Sequence, residues 1–159
     1  MSKLKLNLLG SPQLEIDSTP VVLERRKAMA LLAYLAVTKE NHSRDSLAAL
    51  LWPEADQSSA RTTLRHHIWS LNTALGDGWL DVSRETIGVD SNPGLWVDVN
   101  QFRCELAACQ THGHTEAAVC PDCLPHLREA VSLYRDDFLA GFTLRDSPDF
   151  DEWQRFLPR

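Results

Sequence analysis

Leucine returns at every second position at the start of the chain: Leu4, Leu6 and Leu8 alternate with Lys5 and Asn7. A period of two sends one face of a strand into a core. Gly10-Ser11-Pro12 interrupts the pattern, and Leu14 and Ile16 resume it against Glu15 and Asp17. After a turn at Asp17-Ser18, Pro20 to Leu23 reads as a third strand, so an antiparallel meander is expected. The spacing then widens to three and four. Ala28, Leu31, Leu32, Leu35 and Ala36 mark the apolar face of a helix from Glu24 to about Lys39. A short helix, Arg44 to Leu51, follows, with Ser43 as its cap, Asp45 in its first turn and Pro53 stopping it after Trp52, a core anchor. Ala60, Leu64, Ile68, Leu71 and Leu75 define a third helix, which Ser58 is expected to cap and Gly76 to close. Trp79–Val82 and Thr86–Val89 read as a hairpin, and Leu95–Val97 as a further strand. Beyond it, helices are expected from Val99 to about Gln110 with Asp98 as its cap, from Pro125 to Leu139, and from Ser147-Pro148 through Trp153.

The polar side of the third helix gives this plan its chemistry. Arg61, Thr62, Thr63, Arg65, His66, His67 and Ser70 lie off its apolar stripe and carry donors with reach. A helix that packs on one face and offers donors on the other suits a DNA major groove, although many such faces are only solvated. A short helix, a turn and this helix form a helix-turn-helix arrangement in which the second member reads. The hairpin after it takes the place of a wing, with Arg84 near its tip. Arg25, Arg26 and Lys27 cluster at the start of the first helix, where the helix dipole prefers acids; a phosphate contact is one explanation and a solvated turn the other.

Charge and composition narrow the reading. The 159 residues carry a net charge of -6, with 43% apolar and 24% charged residues, an ordinary globular composition. Residues 1–97 are nearly neutral and leave room for a local cationic face, whereas residues 98–159 hold 6 Lys/Arg against 11 Asp/Glu and are poorly suited to phosphate. The sequence has neither an apolar run long enough for a membrane span nor a convincing signal peptide, so a cytoplasmic protein with no membrane partner is expected. Its four cysteines are then expected as thiols or metal ligands.

Taken in order, LNLLGSPQLEID, RRKAMALLAYLAV, LAALLWPEAD, ARTTLRHHIWSLNTALG and LWVDVNQF resemble bacterial transcriptional activators of the SARP type, and LREAVSLYRDDFLAGF with DSPDFDEW extends the likeness. The resemblance implies an α+β chain. Residues 1–97 would be an OmpR-like winged helix-turn-helix domain with an N-terminal antiparallel sheet. Residues 98–159 would begin an all-α, tetratricopeptide-like bacterial transcriptional activator domain, here cut short. It also implies that helix 58–75 enters the major groove, with Thr62, Thr63, His66, His67 and Ser70 facing DNA and Arg61 and Arg65 nearest phosphate. Promoter DNA and RNA polymerase would be the partners. Two and a half repeat helices do not bury their faces, so a longer chain or a pairing, such as a homodimer, is expected. The likeness has departures. Related chains often carry arginines where Trp69, Ser70, Asn72 and Thr73 stand here, and a glycine where Asp136 stands.

Cys109, His112, Cys120 and Cys123 have the spacing C-x2-H-x7-C-x2-C, which suits a closed structural zinc site, with His114 as the alternative fourth ligand. Free thiols in a polar loop are the other reading, and Cys104 is expected as a small buried filler. No cofactor is otherwise required. No nucleophile–base pair and no phosphate-binding glycine loop suggests an enzyme. A sequence-specific DNA-binding regulator, an activator by resemblance, is therefore the leading expectation. The alternative is a winged-helix protein-interaction module without DNA binding.

Overall fold

The computed structural model describes residues 3–110 and 121–155. Three strands, β1 (Leu4–Asn7), β2 (Gln13–Ile16) and β3 (Thr19–Val21), form the expected antiparallel meander, with Leu6 opposite Leu14. Asp17 and Ser18 both take positive φ, 49° and 69°, which a tight two-residue hairpin turn requires. Leu4, Leu6 and Leu14 point inward and are fully buried. The strand β7 (Leu95–Val97) joins this sheet alongside β1 and in parallel, giving the order β3-β2-β1-β7.

The helix α1 (Arg26–Thr38) starts two residues later than its apolar spacing suggests. Arg25 stays extended at its N-terminus and provides no side-chain cap, while Lys39, at φ 56°, ends the helix in the left-handed region. A two-residue strand, β4 (His42–Ser43), precedes α2 (Arg44–Leu51), and the Ser43 hydroxyl accepts the Ser46 amide as expected. The helix α3 (Gln57–Leu75) is capped two residues earlier than the sequence suggests. Asp56, not Ser58, accepts the Ser59 amide, at 2.7 Å. A carboxylate is the better acceptor here because it also complements the helix dipole. The hairpin β5 (Leu80–Val82) and β6 (Thr86–Val89) pairs with β4 into a second sheet, of order β4-β6-β5.

The helix α4 (Asp98–Gln110) begins at a buried carboxylate that accepts the amides of Leu8, Leu9 and Val99 at 2.8–2.9 Å. The helix α5 (Leu124–Leu133) ends six residues earlier than the apolar spacing implies. Tyr134 leaves helical geometry because the chain turns back to bond β1's end: the Leu139 amide donates to Leu8 and the Gly10 amide to Asp137. The last helix, α6 (Pro148–Arg155), seats Phe150 with no exposed surface. One apolar cluster runs from Leu4 through α1, α2 and α3 to Leu139, Phe142, Leu144 and Phe150. Among the described residues, no helix is long and apolar enough to cross a membrane.

Candidate nucleic-acid interface

The phase of α3 decides which of its donors are available. Ala60, Leu64, His67, Ile68, Leu71 and Leu75 are buried. Thr62, Arg65, His66, Trp69 and Thr73 are exposed and recur at spacings of three and four, a continuous outward stripe. His67, expected to face DNA, points the other way. It falls three residues after Leu64 and four before Leu71, so it shares their stripe. Its ring stands edge-on to Trp52 with centroids 4.8 Å apart, and its Nδ1 lies 2.8 Å from the Thr63 carbonyl. Burial pushes its pKa below the ordinary imidazole value, against the Thr63 bond, and the positive charges of Arg25 and Lys27 act in the same direction as burial. Thr63 and Ser70 are half-buried at the edge of the stripe. The Thr62 and Thr63 hydroxyls donate to carbonyls one turn back, Ser58 and Ser59, which leaves them lone pairs and methyls to offer outward.

Arg61 is exposed but engaged: its Nε donates to Asp45 at 2.6 Å, joining the first turns of α3 and α2. That bond holds the Asp45 carboxyl below its ordinary pKa. The basic cluster at α1 is divided. Arg26 donates to the Thr143 carbonyl at 2.8 Å and lies over the Phe142 ring. Lys27 bonds the Leu51 carbonyl at 2.6 Å and Asp146 at 2.8 Å, and sits over Trp52. Both were candidates for phosphate. The folded chain spends them on the loop before α6, whose carboxylate and carbonyls are distant in sequence. Arg25 remains exposed, beside Trp69, Ser70 and Thr73.

Arg84 is exposed in the turn of the β5–β6 hairpin. Ser83 shapes that turn by accepting the Thr86 amide at 3.0 Å. Arg44 fastens it: its Nε and Nη2 donate to the Ser83 carbonyl at 3.2 and 2.8 Å, and its own amide donates to Glu85. The next residue, Asp45, holds Arg61. Hairpin turn, start of α2 and first turn of α3 are thus bonded in series, which fixes Arg84 relative to the exposed face of α3. Arg44 and Asp45, whose role is to position, and Trp69, whose apolar side chain conceals its place on the polar stripe, join the site although sequence pattern alone gives them no place in it. For Trp69, the spacing of seven residues from Thr62 was the available signal.

Of the proposed zinc ligands, His112, His114 and Cys120 lie outside the described residues. Cys109 and Cys123 are brought together: each sulfur lies against the other's backbone carbonyl, at 3.7 and 3.8 Å. Among the described residues no three His, Cys, Asp or Glu side chains cluster as a metal site. Cys104 is exposed rather than buried, because α4 turns that face to solvent.

No protein-family model matches the chain. Its sequence is 30% identical over 105 residues to the transcriptional regulatory protein EmbR of Mycobacterium tuberculosis, and the same figures hold for EmbR of Mycobacterium bovis. The match covers 65% of this chain and 26% of each relative. A solved structure of Mycobacterium tuberculosis EmbR in complex with a low-affinity phosphopeptide superposes with a TM-score of 0.74 at 24% identity. It covers 98% of this chain and 41% of that one. The chain therefore spans about a quarter of the length of these curated relatives, is similar in sequence to transcriptional regulators, and shares the mixed α/β fold of the solved one.

Proposed function

We propose that this chain is the DNA-reading part of a bacterial transcriptional regulator. In this reading residues 1–97 are a winged-helix reader, α2 and α3 its helix-turn-helix, the β5–β6 hairpin its wing, and the helices after Asp98 the start of an effector domain. The observation that carries it is the outward stripe of α3: Thr62, Arg65 and His66 face solvent together while the helix beneath them is anchored by Leu64, Ile68 and Leu71. A rigid helix with base-edge donors and acceptors on its free side fits the major groove. The hairpin turn fastened by Arg44 supports the same orientation by holding Arg84 for phosphate or the minor groove. The sequence relatives, named as transcriptional regulatory proteins, support the class. Activation through RNA polymerase belongs to the same reading.

The test is duplex binding across a salt series, with sites first selected from random DNA. Arg65→Ala is expected to weaken binding on every sequence and to reduce the salt slope by about 1. Thr62→Ala and His66→Ala are expected to change which sequences are selected, with the slope kept. Equal loss on all sequences for all three variants refutes the groove placement. No binding by the wild type at low salt refutes DNA reading altogether and favours a protein-interaction module.

A further inference from the structure

The late turns of α3 carry no cation from Trp69 to Leu75, yet their exposed side is not featureless. It faces a groove of about 260 Å³ between α3 and the chain entering α1, lined by Val22, Leu23, Arg25, Trp69, Ser70 and Thr73 among others. Two of its walls are apolar and wet: Trp69 is 67% exposed and Val22 85%. An indole left in water at a groove edge gains by being covered, and Trp is the side chain that most often anchors an interface. Arg25 supplies the charge. Its backbone is extended, and its side chain reaches the groove from outside the helix, while Arg26 and Lys27 are turned away onto Thr143 and Asp146.

We propose that this groove is a second DNA contact, a clamp on one segment of deoxyribose-phosphate backbone. Arg25 binds the phosphate, Trp69 packs on the sugar, and the Ser70 hydroxyl stands beside them. The proposal rests on α3 being the reader helix, and it explains how a reader without late arginines holds the duplex. Trp69 lies seven residues after Thr62, about 10 Å further along the axis at 1.5 Å per residue. The early turns of a reader helix meet base edges. A straight helix in a curving groove then leaves those edges, so its late turns meet backbone. The ligand at Trp69 is accordingly the sugar-phosphate chain, common to all sequences. Glu24 also lines the groove, and its carboxylate opposes the phosphate that Arg25 binds.

The experiment measures binding of the whole chain to selected and scrambled duplexes by fluorescence anisotropy, from about 50 to 200 mM salt. Arg25→Ala is expected to lower the salt slope by about 0.9, one phosphate's share, on every duplex. Trp69→Ala is expected to weaken binding about tenfold on every duplex with slope and sequence preference kept, and Trp69→Phe to restore part of the loss. Glu24→Gln is expected to tighten binding. A wild-type slope in Arg25→Ala, or wild-type affinity in Trp69→Ala, overturns the clamp while leaving the reader helix intact. A changed sequence preference in Trp69→Ala also overturns it, since Trp69 would then read a base edge. Failure of the wild type to bind any duplex at low salt overturns the reader helix, and the clamp with it.

Discussion

His66 and His67 are neighbours in sequence and opposites in the fold. His66 stands in solvent; His67 is 7% exposed and edge-on to Trp52, the same ring that Lys27 sits over. Burial lowers the His67 pKa below its ordinary 6.5, and His42 is lowered by burial as well. The unfolded chain therefore binds these protons more readily than the folded one. Stability from this source is complete above pH 6.5 and is lost as pH falls through the folded values. Urea unfolding measured from pH 7.5 to about 5 should show a falling free energy. His67→Phe, which keeps a ring against Trp52, should flatten that fall in part, His42 accounting for the rest; an unchanged pH profile would place His67 outside the core. The sequence shows that two histidines follow Arg65. Only the phase set by Leu64 and Leu71 sorts them, and polar type alone assigned His67 to the wrong side. Arg26 and Lys27 were illegible for a different reason, since their partners lie more than a hundred residues on for Thr143 and Asp146.

Elements were legible where they depend on local pattern. Period-two leucines gave β1 and β2, and the apolar spacing gave α1, α2 and α3 with their buried faces. Elements made by distant pairing were not. The polar pair His42–Ser43 becomes β4 because β6 lies beside it, and the chain after Tyr134 abandons a helical pattern to bond Leu8 and Gly10. Close approach adds a further constraint there. A Cβ on Gly88 of β6 would fall 1.9 Å from Asn41 Oδ1 and 3.2 Å from the Glu40 carbonyl, so a side chain there would have to displace the Asn41 carboxamide and press on the Glu40 backbone. Asp98 illustrates a cap that sequence reads only in part. Its position before a helix is visible; that it also gathers the amides of Leu8 and Leu9 at the end of β1 is not. Burial raises its carboxyl pKa even though three amides favour the anion. Asp98→Asn turns an amide NH2 toward one of these donors, and the expected cost is about 1–3 kcal/mol in unfolding free energy. A neutral result by denaturant titration would mean that the amides find other acceptors.

At the scale of the molecule, the helices after Asp98 share the core of the part that holds α3. Phe150 of α6 has no exposed surface and lies in the same apolar cluster as Leu51 and Leu64. The carbonyl that ends α2, Leu51, accepts both the Ser147 hydroxyl at 2.5 Å and Lys27 at 2.6 Å. The loop before α6 thereby closes the end of the helix that positions Arg61 and the hairpin turn. A seam of this kind predicts that α6 and α3 unfold as one cooperative unit. Phe150→Ala removes a large buried ring, and such truncations cost about 3–5 kcal/mol. If the core is shared, that loss appears in the global transition, and amide exchange speeds up in α3 as much as in α6. Ser147→Ala should produce a smaller change of the same distribution, about 1 kcal/mol for a buried hydrogen bond whose acceptor keeps Lys27. Exchange that quickens in α6 while α3 stays protected at its wild-type level would show two independent units joined only by sequence. The coupled outcome has a functional corollary: a ligand or partner that displaces the loop at Asp146 and Ser147 would loosen the seat of α3 without touching its exposed face.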